Sequence, residues 1–293
     1  MTIGLLCPLL LSHHTNDIIA PKFLFELLKS QIFRNHLDIS ILGANIRNLK
    51  SSIIYDFSVP LPPLEVQNEI VNEIEGYQKV IDGARQVVEN YKPVIHIDPD
   101  WPLVKLGEVC EIKNGSTPSR KNPEYWDNGT IPWFTIKDIR NNGRLVYTTE
   151  QKITTKALNE TSVKLLPRDS VLICCTASVG EHAMAKISLT TNQQFNGLII
   201  NGKYKDLLLP DFLFYLAGTF KDQLMKLGGT TAFKFISVKD LKTILIPIPP
   251  IKIQNEIINE LKKEERIICD NKKLLESFEI KITNRIKRVW EAG

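Results

Sequence analysis

The sequence predicts an α/β (α+β) fold, in which one mixed α/β domain is joined to two long helices that form an antiparallel coiled coil. Three observations lead there. A fifteen-residue box occurs twice, each copy runs into a segment with coiled-coil spacing, and the stretch between those segments alternates strand-like runs with polar loops.

The box spans Pro60 to Ile74 (PLPPLEVQNEIVNEI) and returns 187 positions later as Pro247 to Leu261 (PIPPIKIQNEIINEL). Nine of the fifteen residues are identical, and five more exchange one aliphatic for another. A period this long exceeds the roughly 20 to 50 residues of solenoid units, so it marks a duplicated two-part module. Upstream text repeats as well: Pro21 to Leu28 (PKFLFELL) matches Pro210 to Ala217 (PDFLFYLA). The first copy is expected to keep only its last part. The apolar stretch Ile3 to Leu11 is read as a buried strand of that copy, since it lacks a basic flank and is far short of a membrane span.

Each box supplies a helix start. Pro62-Pro63 and Pro249-Pro250 give a stiff, extended lead-in and can occupy first-turn positions where a missing N–H costs nothing. Apolar residues then recur at Ile70, Ile74, Tyr77, Ile81, Ala84, Val88 and Tyr91, an unbroken alternation of four and three. That is the seam of a coiled coil. The second helix continues the seam through Ile257, Leu261, Ile268, Leu275, Phe278, Ile282 and Val289, with Glu264, Asn271 and Arg285 at intervening positions. Polar seam residues specify register. Helices over about 64–92 and 250–291 would span about 40 Å and 60 Å at ~1.5 Å per residue.

Between them, Trp101 to Val109 opens a domain whose strand-like runs are Ile131–Ile136, Ser170–Cys175, Ala183–Ile187 and Leu198–Ile200. A helix from Asp211 to about Leu227 closes it. Four loops are dense in small polar and basic residues: Lys113 to Lys121, Lys137 to Arg144, Thr176 to Gly180 with Asn192-Gln193-Gln194, and Gly228 to Lys234. Such side chains read base edges and hold phosphates, although Ser, Thr, Asn and Gly are also ordinary loop material. The candidate DNA contacts are Ser116, Thr117, Ser119, Arg120, Lys121, Lys137, Arg140, Ser178, Gln193, Gln194, Thr230, Thr231 and Lys234. Charge agrees in sign: residues 101–250 carry nineteen Lys plus Arg against thirteen Asp plus Glu, whereas residues 1–100 carry eight against twelve.

Composition sets bounds. At 293 residues, 43% hydrophobic and 24% charged, the chain is ordinary globular protein with room for about two domains. The five cysteines, Cys7, Cys110, Cys174, Cys175 and Cys269, make no CxxC pair and no zinc spacing, which argues against disulfides and a structural metal and for a reducing cytoplasm. Enzymatic motifs fail one by one. Pro99-Asp100 with Glu111-Ile112-Lys113 is a loose nuclease pattern, Asn122-Pro123-Glu124-Tyr125 lacks the second proline of an adenine-methyltransferase tetrapeptide, and no Walker loop is present. Ser178 near His182 has no nucleophile elbow around it. No cofactor is expected.

Taken in order, Lys105-Leu106-Gly107-Glu108-Val109, Asn114 to Arg120, Asp127 to Ile139, Thr191-Asn192-Gln193-Gln194, and Ile246 to Pro250 with Gln254 and Glu256 resemble the specificity (S) subunit of type I restriction-modification enzymes. The resemblance implies a non-catalytic subunit that reads half of a split site with each of two target recognition domains, spaced by two conserved antiparallel helices. It also implies docking of modification (M) subunits, which recruit restriction (R) subunits. On this reading residues 1–60 are the C-terminal remnant of a first recognition domain, 61–93 the first helix, 94–100 a linker, 101–249 a complete recognition domain, and 250–293 the second helix. The partners implied are double-stranded DNA, M and R subunits, and a second copy or half-subunit, with no membrane. A coiled-coil interaction scaffold, or a defunct truncated subunit without DNA reading, stands as the alternative.

Overall fold

In the computed structural model the described residues are 2–4, 18–41, 53, 57–176, 178–227 and 236–291, and they divide into two compact units. One holds residues 1–92 with 264–293, the other residues 93–263. No described helix is long and apolar enough to cross a membrane.

The first unit is built on helices. α1 (Pro21–Lys29) and α2 (Gln31–Ile41) precede a short strand, β2 (Ser58–Pro60), which pairs antiparallel with β1 (Thr2–Gly4). Only that short part of the apolar stretch Ile3 to Leu11 lies within the described residues. The box then starts α3 (Leu64–Asn90), with Pro63 as its N-cap. Along α3, Ile70, Ile74, Ile81 and Ala84 are buried and Tyr77, Val88 and Tyr91 half-buried, so the four-three alternation is the burial pattern. The facing helix is the 264–291 part of α10 (Ile251–Glu291). Its direction is read from its partners: Glu73 meets Arg285 (2.7 Å), the Tyr77 ring meets Phe278 (5.3 Å), and Tyr91 donates to Glu264 (2.9 Å). As numbers rise on one helix they fall on the other, so the two are antiparallel. Ile70 and Ile74 share a core with Phe23 and Leu27 of α1 and with Ile286 and Val289 of α10.

Two polar seam positions have found partners. Tyr77 and Arg285 both hydrogen-bond Glu73 and hold its carboxyl below the usual carboxylate range, while burial and the Glu264 carboxylate push the Tyr91 phenol up. The seam departs from expectation at Ile257, which packs against the core of the α/β unit. The cause is length: Tyr91, the C-cap of α3, already stands opposite Glu264.

The second unit carries a five-stranded sheet in the order β4 (Cys110–Asn114), β11 (Phe195–Ile200), β8 (Val171–Cys174), β9 (His182–Ala185), β6 (Leu145–Val146). A three-stranded sheet orders β10 (Thr190–Thr191), β5 (Ile131–Phe134), β7 (Gln151–Ile153), and β3 (Leu103–Lys105) pairs with β12 (Leu245–Pro247). β8 (VLIC) is an apolar run buried at every position, and β9 (HAMA) is equally buried although it begins with His182. The predicted closing helix is two helices, α7 (Pro210–Ala217) and α8 (Lys221–Leu227). Thr219 folds its hydroxyl back onto the Leu216 carbonyl, Phe220 drops into the core at 1% exposure, and Gly218 lies so close to His182 that a Cβ would crowd its ring. Packing breaks the helix where periodicity alone would continue it.

The duplication is visible atom by atom. Gln254, fully buried, accepts from the Leu209 N–H (2.8 Å) and donates to the carbonyls of Leu207 and Pro249 (2.7 Å each). Gln67, equally buried, accepts from Ala20 (2.8 Å) and donates to Ile18 (3.0 Å) and Pro62 (2.8 Å). Each glutamine ties the N-cap of a short helix, Ala20 of α1 or Leu209 of α7, to the prolines that start a long one. Beside each clamp stands an ion pair of opposite polarity, Lys22 with Glu75 and Asp211 with Lys262.

Candidate nucleic-acid interface

Two of the four candidate loops, Lys113 to Lys121 and the Thr176–Gly180 turn with Asn192-Gln193-Gln194, are brought to one end of the strands, an edge of the five-stranded sheet in that sense, by strand order. The ladder partners Asn114↔Asn196, Asn196↔Ile173 and Ile173↔His182 lie in one row across it. The chain leaves β4, approaches β11 and turns between β8 and β9 on that same side. Backbone bonds join the loops there: Ser116 N–H to Thr191 O (2.9 Å), Gly115 N–H to Phe195 O (2.9 Å), and Cys175 N–H to Gln194 O (2.9 Å). Ile236, where the chain re-enters the described residues, donates to Cys175 O at 2.9 Å. Thr230, Thr231 and Lys234 lie outside the described residues.

Local chemistry shapes each loop. Gly115 faces the 191–192 backbone so closely that any side chain would collide with the Thr191 and Asn192 oxygens. Gly180 takes φ +88° in the β8–β9 turn, which favours glycine. Thr117 donates to Gln193, and Ser116 exchanges a hydrogen bond with Ser162 at 2.8 Å. Gln194 is held by Asn192, whose Oδ1 accepts the Gln194 N–H and whose Nδ2 donates to its side chain, both at 3.1 Å. Ser178, in the turn, is half-buried, and Ser119, Lys121 and Gln193 are exposed.

Lys137 and Arg140, also exposed, stand on α5 (Ile136–Asn142), which begins beside the same edge because Asn192 N–H donates to Phe134 O (3.2 Å). The helix start is strongly specified. Thr135 caps it, and buried Asp138 completes a capping box while also accepting the Glu150 N–H at 2.8 Å. Beyond α5, Arg144 lies 3.9 Å from Glu181 of the β8–β9 turn.

Arg120 is bound on two sides. Its guanidinium lies 3.5 Å from the Trp126 ring centre and 4.8 Å from that of Trp133, and donates to Gln151 at 2.6 Å. Partial burial lowers its pKa. Neither tryptophan nor Gln151 was among the expected site residues. The signal available in the sequence was aromatic residues interleaved with a basic loop, but Gln151 lies 31 residues away from Arg120 and gives none.

Two titratable groups behind the same edge are shifted by burial. Burial pushes the Cys175 thiol up to about 12 and holds the His182 imidazole down at about 4. Among the described residues no three His, Cys, Asp or Glu side chains are grouped to hold a metal ion. Thr176 Oγ1 is buried there without a hydrogen-bond partner among the described residues.

Comparison with known proteins gives a consistent answer. The chain is 32% identical over 200 residues to the type I restriction enzyme EcoprrI specificity subunit of Escherichia coli, covering 66% of this chain and 46% of that one. It is 34% identical over 197 residues to the MjaIX specificity subunit of Methanocaldococcus jannaschii, covering 66% and 44%. It thus spans just under half the length of these relatives. Among solved structures, the HsdS subunit from Thermoanaerobacter tengcongensis shares the fold with a TM-score of 0.52 at 23% identity, over 94% of this chain and 70% of that one. A chain from a type I R-M system assembly aligns with a TM-score of 0.62 at 22% identity, over 94% and 72%. Residues 99–279 match the type I restriction modification DNA specificity domain, and the chain belongs to that family.

Proposed function

We propose that this chain is a non-catalytic, DNA-reading specificity component of a type I restriction-modification system, which recognises part of a split target and docks M subunits that in turn recruit R subunits. The observation that carries this reading is the meeting of loops 115–121, 175–181 and 191–194 at one sheet edge, joined by α5 with Lys137 and Arg140. Residues 101–249 act as a target recognition domain, 1–60 as the last part of another, 61–93 and 250–293 as the conserved helices, and 94–100 as a linker. Ser116, Thr117, Ser119, Arg120, Lys121, Ser178, Gln193 and Gln194, with Thr230, Thr231 and Lys234, contribute contacts to bases or phosphates. Transfer of a methyl group to a base in duplex DNA needs that base extruded beside a methyl donor, and this role belongs to the partner.

A productive complex pairs the recognition domain of residues 101–249 with a second half-site reader, and a second copy of the chain or a complementary half-subunit in that role would give a symmetric or hybrid split target. The setting is a reducing cytoplasm. The test is reconstitution of the chain with its cognate M subunit, sequencing of methylated sites, and titration of duplex binding against salt. A linear fall of log affinity with log salt, together with a defined methylated motif, is expected. Methyl transfer by the isolated chain, or salt-independent binding without any motif, would overturn the proposal.

A further inference from the structure

A long arginine on an exposed loop normally samples many rotamers, and fixing it costs side-chain entropy. In this protein that restriction is already built in. Trp133 is 3% exposed on β5, and Gln151 sits opposite it in the β5–β7 ladder. Trp126 meets Trp133 edge to face, with centroids 5.1 Å apart and planes at 88°. Both indole N–H groups are spent on the Arg120 loop itself, Trp126 donating to Ser119 O (3.0 Å) and Trp133 to Ser116 O (3.1 Å). The loop, the tryptophan pair and the sheet are therefore one rigid body, and Arg120 lies against it by one face and one nitrogen.

Such rigidity is wasted on a phosphate, which accepts hydrogen bonds over a wide range of directions. It suits a guanine edge, whose O6 and N7 demand a flat fork in one plane. Gln151 reaches Arg120 through its Oε1, so the arginine keeps further N–H groups for a ligand. We propose that Arg120 is a base-reading residue for guanine in the major groove, and that Trp126 and Gln151 are positioning residues that hold its fork at one step of the target. The inference rests on the reading of this domain as DNA-binding, and it adds which atom pattern is read and which neighbours set it.

The test uses the full chain reconstituted with its methyltransferase subunit, with methylated sites sequenced from a randomised duplex library and melting curves recorded for each variant. Arg120→Lys keeps the charge and loses the fork. It should relax a single guanine of the motif while leaving the salt dependence of binding unchanged. Gln151→Leu should relax that same guanine and weaken binding to the preferred duplex by roughly ten-fold. If Gln151→Leu lowers the melting temperature, Arg120→Lys decides alone. An unchanged motif in Arg120→Lys, with or without a uniform loss of affinity, overturns the inference in favour of a phosphate contact or of loop packing. A wild-type complex that methylates without sequence preference overturns instead the reading on which the inference rests.

Discussion

Replacing Gln254 by leucine isolates the energetic worth of the duplicated clamp. Leucine nearly conserves volume, so the change leaves no large cavity and acts through polar groups alone. Three backbone partners lose their bonds: the Leu209 N–H and the carbonyls of Leu207 and Pro249. A buried donor or acceptor left unmatched costs about 1–3 kcal/mol, so three together should cost roughly 3–6 kcal/mol after partial relaxation. That is a large share of the 5–15 kcal/mol typical of a folded domain. Equilibrium urea unfolding followed by tryptophan fluorescence reads it directly, because Trp101, Trp126 and Trp133 all lie in the α/β unit and only Trp290 in the other. The midpoint should fall with little change in slope. Gln67→Leu should weaken the helical unit through its own three bonds, read at Trp290. Gln254→Leu within about 0.5 kcal/mol of wild type would refute the argument that these bonds hold α7 against the start of α10.

Ile74→Asp and Ile81→Asp each place a charge at a site that is 2% exposed and should each cost several kcal/mol, so unchanged melting curves would exclude the helix pairing described above. His182 is held neutral by burial, its imidazole down at about 4 against 6.5 for a free histidine. Below pH 6.5 the unfolded chain binds the proton first, so up to about 3 kcal/mol of stability present at neutral pH is lost as pH falls toward 4. His182→Phe should flatten this acid limb, and parallel stability curves for variant and wild type would contradict it. Gly115→Ala should disrupt the junction of the 115–121 and 191–194 loops and, under the proposed function, reduce affinity for all duplexes; wild-type binding by a normally folded variant would remove that junction from the interface.

The residue order by itself determined the helices and the duplication. Four-three spacing is a local property, so the buried stripe Ile70, Ile74, Ile81 and Ala84 could be read from α3 before any partner was known. The identity of Gln67 and Gln254 likewise announced a shared role, although only the coordinates show that both clamp a helix N-cap. The central strand was legible because β8 is a continuous apolar run, whereas two-residue and three-residue strands such as β6, β7 and β10 carry too few residues to show a period. What tertiary structure alone decided is adjacency. Arg285 reaches Glu73 across 212 positions, Arg120 reaches Gln151 across 31, and α7 stops at Ala217 because Phe220 is drawn into the core. The loops meet for the same reason. Sheet order β4-β11-β8-β9 is set by hydrogen bonds between distant strands and by the apolar surface they bury together, and neither quantity is written in the period of any single segment.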